Sequence, residues 1–316
     1  MTTLSDELTK TPVRILMATY NGAPFLKEQI QSIRDQSFNE WQLHCSDDGS
    51  TDTTTELIEE LADQSEQCIT VSNGPGQGFS KNFLSLVREL SDACGCVAFS
   101  DQDDVWLPNK LRRAVAALEK IPKDQPALYG AASWIWDPSN NRRRASLPIR
   151  HPPSFANALI ENFATGNTMV MNQKAALLLR HAAGRIGDVF AHDWLAYALV
   201  AGYGGQVIYD DTPVLLYRQH ARNEIGAGET FIKRQLRNLS VADGRYRVKI
   251  GQNLDALAAN RDLLTKENQN TLDTFRAARD VSPAFVRLAR IYRTGVFRQS
   301  ARDSIGFYAA AFLGRV

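Results

Sequence analysis

The 316-residue chain lacks the sequence features that mark several protein classes. It has no apolar run of the ~18 residues that a membrane-spanning helix needs, and no charged-then-apolar segment typical of a secretory signal. Its four cysteines are not spaced as in a zinc finger, so we expect buried or incidental thiols and no disulfide framework. A cytoplasmic location follows as the expectation.

The charge balance also limits the partners. The formal net charge is +1, so no polyanion-binding surface is expected over the whole molecule, and nucleic acid is not an expected partner. Hydrophobic residues make up 44% and charged residues 22%, as in an ordinary globular protein. The length is sufficient for a sizeable core in one large domain or two smaller ones.

Strand and helix patterns alternate over the first third of the chain. Strands are predicted at 13–18, 41–45, 69–71 and 96–99, and helices at 25–36, 51–61, 80–90 and from 108. This order predicts an α/β fold with a mostly parallel sheet flanked by helices. Because ligands of such sheets bind where the strands end, the polar loops at 19–22, 47–50, 73–82 and 101–104 are expected to converge there.

The alternation is less regular after residue 118. The patterns predict strands at 129–136, 163–171, 206–209 and 214–217, an exposed loop at 140–153, and helices at 173–180 and around 191–195. Helices alone are predicted from 229 onward. The region from 229 is therefore expected to be a helical extension of the α/β part.

Three carboxylates follow the apolar stretch 96–99 within four residues, at Asp101, Asp103 and Asp104. Such a concentration beside a buried strand end is costly unless a cation, hydrogen-bond donors or water offset the charge. If the extended conformation persists, Asp101 and Asp103 point the same way and reach one hard cation. The alternative is a solvated acidic turn that caps the following helix.

Six segments resemble, in order, the family-2 glycosyltransferases of the rhamnosyltransferase-like bacterial group: MATYNG at 17–22, SDDGSTD at 46–52, FSDQDDVWLPNK at 99–110, TGN at 165–167, HDW at 192–194 and YRQH at 217–220. The resemblance implies a GT-A fold, a nucleotide-diphosphate sugar donor and Mg²⁺ or Mn²⁺. It further implies a GT-A catalytic domain over 11–228, with a nucleotide-sugar-binding half at about 11–120 and an acceptor-binding half at about 121–228. A C-terminal helical region then covers 229–316.

The resemblance also assigns residues to donor binding. These are Thr19, Tyr20, Asn21, Asp48, Gly78, Lys81, Asn82, Asp101, Gln102, Gly166, Asn167 and Arg218. Within this set, Asp48 is expected to accept a hydrogen bond from a base imide. Lys81 is either close to the diphosphate or solvated. Arg218 is expected to neutralise the diphosphate, with a salt bridge or a hinge role left open.

For metal binding and catalysis the resemblance implies further roles. Asp101 and Asp103 form the metal pair, and His220 completes the metal shell or contacts phosphate. Asp193 is the general base that removes the proton of the acceptor hydroxyl in a one-step, inverting displacement. Its alternative role is a carboxylate favoured at a helix N-terminus. His192, where many relatives have Glu, is either a packed or an orienting residue.

The predicted function is an inverting, metal-dependent glycosyltransferase of bacterial surface polysaccharide synthesis, with dTDP-rhamnose or a UDP-sugar as donor and a glycan or polyprenyl-linked acceptor. One alternative is a catalytically silent nucleotide-sugar-binding or scaffold protein of the same fold. A dinucleotide oxidoreductase is disfavoured, because Gly74, Gly76 and Gly78 do not form the spacing G-x-G-x-x-G.

Two features near the C-terminus suggest further contacts. The loop 221–228 contains two glycines and is expected to close over the donor. The segment 285–302 mixes arginines with apolar residues, which suits a helix resting peripherally on an anionic membrane at the inner face of the plasma membrane. Its alternative is a solvated helical face packed on the catalytic domain.

Overall fold

A seven-stranded sheet forms the centre of the molecule in the computed structural model, which describes residues 12–220 and 245–316. Its strands are β1 (Val13–Thr19), β2 (Trp41–Asp47), β3 (Ile69–Asn73), β4 (Val97–Ser100), β6 (Ala127–Ala131), β9 (Val170–Met171) and β10 (Gln206–Asp210). The spatial order is β10-β6-β9-β4-β1-β2-β3, and only β9 runs antiparallel to its neighbours. The predicted α/β fold with a mostly parallel sheet is confirmed.

Helices cover both faces of this sheet. They are α1 (Ala23–Arg34), α2 (Thr54–Asp63), α3 (Phe79–Arg88), α4 (Lys110–Leu118), α5 (Phe155–Ala158), α6 (Gln173–Ala183) and α7 (His192–Tyr203). Because strand side chains alternate between faces, Leu16 of β1 joins the core under α3, α6 and α7. Its neighbours Ile15 and Met17 join the core under α1, α2 and α4. Each such buried side chain stabilises the fold by about 1.5–3 kcal/mol.

A second sheet of four short strands lies beside the first. It contains β5 (Val105–Trp106), β7 (Trp134–Asp137), β8 (Arg142–Ala145) and β11 (Leu215–Arg218), in the order β5-β11-β7-β8. The single strand predicted at 129–136 is wrong, because the chain leaves the large sheet after β6 and enters the small one at β7. At the break, the Ala132 N–H donates to the Asp210 carbonyl at 2.9 Å. Because β6 and β7 are both apolar, the hydrophobicity of residues 129–136 does not show where one strand ends and the next begins.

Two further local predictions need correction. The predicted loop 140–153 contains β8, whose exposed arginines pair antiparallel with β7. The predicted strand at 163–171 is mostly irregular, with a 3-10 turn at Gly166–Thr168 before the two-residue β9. Both segments carry polar residues at the end of the sheet, where loops and strands have similar compositions.

The described C-terminal part is helical, as predicted. Its helices are α8 (Arg245–Ala259), α9 (Lys266–Arg279), α10 (Ala284–Arg293) and α11 (Ala301–Phe312), with a 3-10 turn at Arg261–Leu263. Leu257, Phe275 and Phe307 belong to the same hydrophobic core as α3 and α7. The predicted domain boundary at 228/229 and the predicted closing loop 221–228 lie outside the described residues, so both stay predictions.

All four cysteines are free thiols. Cys45 and Cys94 are buried, Cys96 is half-buried and Cys68 is exposed. Burial raises the pKa of the Cys45 thiol to about 12, so this group stays protonated. Packing rather than chemistry accounts for the buried pair.

Candidate active site

A cleft with a volume of about 1240 Å³ opens where the parallel strands of the large sheet end. The predicted site residues that line it are Thr19, Tyr20, Asn21, Asp48, Gly78, Asn82, Asp101, Gln102, Asp103, Gly166, Asp193 and His220. Three others, Lys81, Asn167 and Arg218, are not part of its lining. The structure therefore brings most of the predicted residues together from segments that are far apart in sequence.

The loop after β1 is fixed by side chains from the loop after β2. Thr19 Oγ1 donates to Asp47 Oδ1 at 2.9 Å, and Asp47 Oδ2 accepts from the Ser50 N–H at 2.7 Å. Asn21 adopts a left-handed φ of 47°, and its side-chain oxygen accepts from the Thr51 N–H at 2.9 Å. Asp47 thus shapes the turn, and the floor of the cleft is set by hydrogen bonds.

The loop after β4 is joined to the loop after β1 by Gln102. Its Nε2 donates to the Tyr20 carbonyl and its Oε1 accepts from the Tyr20 N–H, both at 2.9 Å. A Cβ at Gly22 would lie 2.1 Å from Gln102 Oε1, so a side chain at this position would displace the Gln102 amide. Gln102 lines the cleft, but its amide is engaged in holding the Tyr20 backbone.

Asp48 holds the glycine-rich loop that precedes α3. Its two carboxylate oxygens accept from the Gly76 N–H at 2.7 Å and the Gly78 N–H at 2.6 Å. Both glycines have positive φ, 66° and 88°, a conformation that other residues rarely adopt. Each carboxylate oxygen has a second lone pair, so Asp48 retains the capacity to accept a hydrogen bond from a ligand.

The remaining predicted residues of this loop are used within the protein. Lys81 Nζ forms an ion pair with Asp188 at 2.7 Å, away from the cleft lining. Asn82 lines the cleft, and its Nδ2 donates to the Ser46 carbonyl at 2.7 Å. Lys81 is therefore engaged with a carboxylate, and Asn82 fixes the start of α3 on β2.

The acidic run is bent rather than extended, because β4 ends at Ser100. The alternation that would place Asp101 and Asp103 on one strand face is therefore absent, yet both line the cleft through the bend. Asp103 Oδ2 lies 2.8 Å from His220 Nε2. The His220 ring stacks on Phe25 with centroids 4.5 Å apart. A carboxylate oxygen and an imidazole nitrogen thus meet in the lining of the cleft.

The carboxylate and imidazole groups of the cleft decide whether a divalent cation could bind there. Over residues 12–220 and 245–316, no group of three or more His, Cys, Asp or Glu side chains is arranged to hold a metal ion. Mg²⁺, however, is usually bound by one or two carboxylates, with waters and substrate phosphates completing its shell. The Asp103–His220 pair, with Asp101 lining the same cleft, fits such a shared shell, although oxygen donors suit Mg²⁺ better than imidazole does.

Behind the cleft, Asp104 and Lys110 are fully buried. Asp104 accepts hydrogen bonds from Asn167 Nδ2 and, at 3.4 Å, from the Arg218 N–H. Burial, together with the neighbouring carboxylates, raises the Asp104 pKa well above its usual range, and burial lowers the Lys110 pKa. Lys110 Nζ lies 3.0 Å from the centroid of the buried Trp106 ring, so Trp106 belongs to the core.

Arg218 supports the acidic run from behind. Its Nε donates to the Asp103 carbonyl at 2.7 Å, and its Nη2 forms an ion pair with Glu28. The guanidinium lies 4.6 Å from the Trp136 ring centroid. With 7% of its surface exposed, Arg218 does not face the cleft. The salt bridge, one of the interpretations left open for Arg218, is present.

Asp193 is the second residue of α7 and is held by backbone groups. Its Oδ2 accepts from the Gly166 N–H at 2.8 Å, and its Oδ1 accepts from the Trp194 N–H at 2.7 Å. Burial raises the pKa of this carboxyl to about 6. A Cβ at Gly166 would lie 3.0 Å from Asp193 Cβ, so glycine allows the close approach. The group is thus a fixed carboxylate whose pKa lies near neutrality.

His192 is packed among aromatic rings. Its ring stacks on Phe83 at 3.9 Å and meets the edge of Phe99 at 4.5 Å. Burial lowers its pKa to about 3, and neither ring nitrogen has a hydrogen-bond partner in the described part of the chain. His192 is therefore neutral at physiological pH, and its ring lines the cleft while it packs on Phe83 and Phe99.

Several residues that line the cleft were not predicted from the sequence. They include Glu161, Asn162, Phe190, Tyr246 and Arg298, the last two from the C-terminal helical region. Asn162 hydrogen-bonds the Asp193 carboxylate. Its position just before the TGN segment was the only signal for it. No motif marks Tyr246 or Arg298.

The fold is that of the GT-A glycosyltransferases. S. aureus TarS 1-349, solved in complex with UDP-GlcNAc, aligns with a TM-score of 0.54 at 14% identity, covering 95% of this chain and 90% of TarS 1-349. The mannosyltransferase PcManGT from Pyrobaculum calidifontis, solved with GDP-Man and Mn²⁺, aligns with a TM-score of 0.53 at 17% identity. The alignment covers 96% of this chain and 85% of PcManGT. At these identities the likeness concerns the fold alone.

The chain belongs to glycosyl transferase family 2, whose family model matches residues 14–187. It is 27% identical to the dTDP-rhamnosyl transferase RfbG of Shigella flexneri over 249 residues, 77% of this chain and 84% of RfbG. It is also 30% identical over 109 residues to WfgD of Escherichia coli, a UDP-Glc:alpha-D-GlcNAc-diphosphoundecaprenol beta-1,3-glucosyltransferase. This match covers 34% of this chain and 41% of WfgD. The predicted family is confirmed.

Proposed function

We propose that this protein is an inverting, metal-dependent glycosyltransferase that moves L-rhamnose from dTDP-rhamnose to a glycan or polyprenyl-linked acceptor in bacterial surface polysaccharide synthesis. The observation that carries the proposal is that the Asp193 carboxylate and the Asp103–His220 pair line one cleft. Similarity to RfbG over most of the chain favours dTDP-rhamnose. A UDP-sugar is the competing donor.

The nucleotide binds on the loops after β1, β2 and β3. Tyr20 offers a largely exposed ring, and its backbone is fixed by Gln102. Asp48 holds the glycine-rich loop and presents carboxylate lone pairs to a base N–H. Because hydrogen bonds already fix these loops, little ordering entropy is lost when the nucleotide binds.

Asp193 takes the proton of the acceptor hydroxyl. A pKa of about 6 keeps the carboxylate mostly ionised at pH 7 while leaving it more basic than an ordinary Asp. The N–H groups of Gly166 and Trp194 fix its orientation. As the proton leaves, the hydroxyl oxygen forms its bond to the anomeric carbon from the side opposite the diphosphate, and the sugar–phosphate bond breaks with inversion.

Asp101, Asp103 and His220 would hold Mg²⁺ or Mn²⁺ together with the donor diphosphate. When bound, the cation neutralises charge on the departing diphosphate. The chain positions these ligands from behind, because Arg218 binds the Asp103 carbonyl and Phe25 supports the His220 ring. The ligand geometry therefore depends on Arg218, which does not line the cleft, and on Phe25, which does.

The test combines nucleotide binding with donor turnover. Calorimetry with dTDP and with UDP, in Mg²⁺ or Mn²⁺, is run beside hydrolysis and transfer assays on a panel of nucleotide sugars. We expect Asp103→Asn to lose metal-dependent nucleotide binding, and Asp193→Asn to keep nucleotide binding but lose transfer. The exposed Asp63→Asn on α2 is the matched control. A wild-type protein that binds nucleotide but turns over no donor would instead support the silent scaffold.

The C-terminal helices support a peripheral membrane contact as part of this proposal. In the described part of the chain, no helix is long and apolar enough to cross a membrane. The apolar side chains of Phe285, Ile305 and Leu313 are nevertheless largely exposed on or beside α10 and α11. Arg290 and Arg293 of α10 are also exposed. Exposed apolar and basic side chains together favour an anionic lipid surface.

Sedimentation with lipid vesicles tests this contact. We expect binding to phosphatidylglycerol vesicles and about tenfold weaker binding to phosphatidylcholine vesicles. Ile305→Ser with Leu313→Ser is expected to reduce binding, whereas exposed Val248→Ser on α8 serves as control. Equal sedimentation of all variants with both lipids would contradict the contact.

A further inference from the structure

Part of the cleft wall is formed by chain from the C-terminal helical region. Tyr246 of α8 and Arg298, which lies between α10 and α11, line the same cleft as Asp193. Glu161 and Asn162 line it beside them. None of these four residues has a role in the donor assignment or in the proposed proton transfer.

The wall is fixed by a buried ion pair. Glu161 Oε1 accepts from Arg298 Nε at 3.1 Å and Nη2 at 2.9 Å, and the two side chains are only 15% and 17% exposed. The Tyr246 hydroxyl donates to the Ile160 carbonyl. Asn157 Nδ2 donates to the Phe297 carbonyl at 2.9 Å. The C-terminal region is thus bonded to α5 and to the loop that follows it.

A second set of bonds fixes the same segment from its other side. Gln299 Oε1 accepts from the N–H groups of Arg150 at 2.8 Å and His151 at 2.9 Å. Gln299 Nε2 donates to the His151 carbonyl at 3.0 Å. Residues 297–299 are therefore held in a defined position in the cleft wall by hydrogen bonds.

Asn162 carries a polar atom without an internal partner. Its Oδ1 is buried and has no hydrogen-bond partner in the described residues, while the same side chain bonds Asp193. An unpaired buried acceptor is costly, so a ligand hydroxyl that donates to it would be favoured. Through Asn162, a ligand on this wall is placed next to the proposed base.

The charge and shape of the wall select the ligand class. Because Glu161 neutralises Arg298, the pair carries no net charge to attract a phosphate. The Glu161 oxygens already accept from Arg298, Asn157 and Gln299, so the pair offers hydroxyls the remaining Arg298 N–H donors. The Tyr246 ring adds an aromatic surface. The cleft of about 1240 Å³ also exceeds the ~300–1000 Å³ of a typical single-ligand site.

We propose that Tyr246, Glu161, Arg298 and Asn162 form a subsite for a neutral pyranose unit of the acceptor. The inference rests on the proposed glycosyltransferase function and adds the residues and the class of acceptor group. The apolar C–H face of the sugar packs on Tyr246, and its hydroxyls bond Asn162 Oδ1 and the Arg298 guanidinium, which Glu161 holds in place.

Saturation-transfer NMR measures this binding without a known acceptor. The probes are the methyl glycosides of rhamnose, glucose, galactose and N-acetylglucosamine, each added to protein with Mg²⁺ and dTDP or UDP. We expect at least one glycoside to bind wild-type protein, Tyr246→Phe to retain this binding, and Tyr246→Ala and Arg298→Gln to weaken it about tenfold or more. Exposed Tyr292→Ala on α10 is the matched control. Nucleotide affinity is expected to stay within about twofold of wild type in every variant.

Three results would overturn the inference. They are the binding of no glycoside to wild-type protein, unchanged binding to Tyr246→Ala, and at least tenfold tighter binding of glucose 1-phosphate than of methyl glucoside. The last result would assign the wall to a phosphate, with Lys249 over Phe190 as its nearby cation. Failure of the proposed function is separate, because it would appear as wild-type protein that turns over no donor, whether or not it binds nucleotide.

Discussion

The side-chain amide of Gln102 pairs with the backbone of Tyr20 in both directions, at 2.9 Å for each hydrogen bond. These residues are 82 positions apart, and the pair joins the loop after β4 to the loop after β1. It mimics one rung of a β-ladder where no strand continues. The acidic run and the proposed nucleoside floor are therefore held in one geometry.

We expect Gln102→Glu to weaken nucleotide binding. A carboxylate cannot donate to the Tyr20 carbonyl, and it faces that oxygen with a negative charge, so the two loops separate. The loss of one such bond corresponds to about a tenfold increase in the nucleotide Kd, measured by calorimetry with dTDP or UDP and Mg²⁺. Exposed Gln64→Glu at the end of α2 controls for the added charge. Unchanged affinity in Gln102→Glu would show that the pair does not order the nucleotide site.

The raised pKa of Asp193 predicts a pH-dependent rate. A general base acts as the ionised carboxylate, so the rate is level above about pH 6 and falls about tenfold per unit as pH decreases below that value. Asp193→Asn keeps an oxygen for the Gly166 N–H but cannot accept the proton. We expect it to lose about 10²–10⁴-fold in turnover with unchanged nucleotide binding. A flat rate between about pH 5 and 8 in wild-type protein would contradict the assignment of the base.

The α/β part of the fold was predictable from the sequence, because the spacing of apolar residues in each segment matches the helix or strand that the structure forms there. Leu26, Ile30 and Ile33 recur at helical spacing and are fully buried in α1, as an amphipathic helix on a sheet requires. The convergence of polar loops follows from parallel strands, whose ends meet at one edge. The order of the six motifs then predicted the family, which composition alone does not indicate.

Other features were not predictable because they depend on direction or long-range contact. The YRQH segment gives the type of residue 218 but not that its guanidinium points to Glu28 behind the acidic run. The Tyr246–Ile160 and Arg298–Glu161 contacts span 86 and 137 positions without any local pattern. The two strands β6 and β7 have equally apolar residues, so their separation into two sheets leaves no trace in hydropathy.

Gly166 is expected to be intolerant of a side chain. A Cβ there would lie 3.0 Å from Asp193 Cβ and 3.1 Å from His192 Nε2, and both neighbours are fixed in α7. Overpacking of this kind costs about 1–3 kcal/mol of unfolding free energy. We expect Gly166→Ala to show this loss in chemical denaturation and a larger loss in turnover than in nucleotide affinity.

Gly306→Ala is the matched control, because a Cβ at this position of α11 has open space. It is expected to stabilise the protein by up to about 1 kcal/mol, since alanine favours a helix more than glycine does. Equal stability of the two alanine variants would show that the crowding at Gly166 relaxes without cost.

The buried His192 predicts a pH-dependent stability difference. Its pKa is about 3 in the folded protein and near 6.5 when unfolded, so between these values the unfolded state binds the extra proton and stability falls as pH decreases. Asp193 acts in the opposite direction between its ordinary 3.8 and about 6. In wild-type protein alone, the contribution of Asp193 therefore partly cancels the pH dependence of stability that His192 produces.

The comparison with His192→Phe isolates this contribution, because Asp193 is present in both proteins and Phe keeps an aromatic ring against Phe83. We expect the variant to gain stability relative to wild type by up to about 1.4 kcal/mol per pH unit as pH is lowered from about 6 to 4. Urea denaturation at each pH measures the difference. A difference that is independent of pH would mean that His192 titrates alike in the folded and unfolded states, and that its ring is not held neutral by burial.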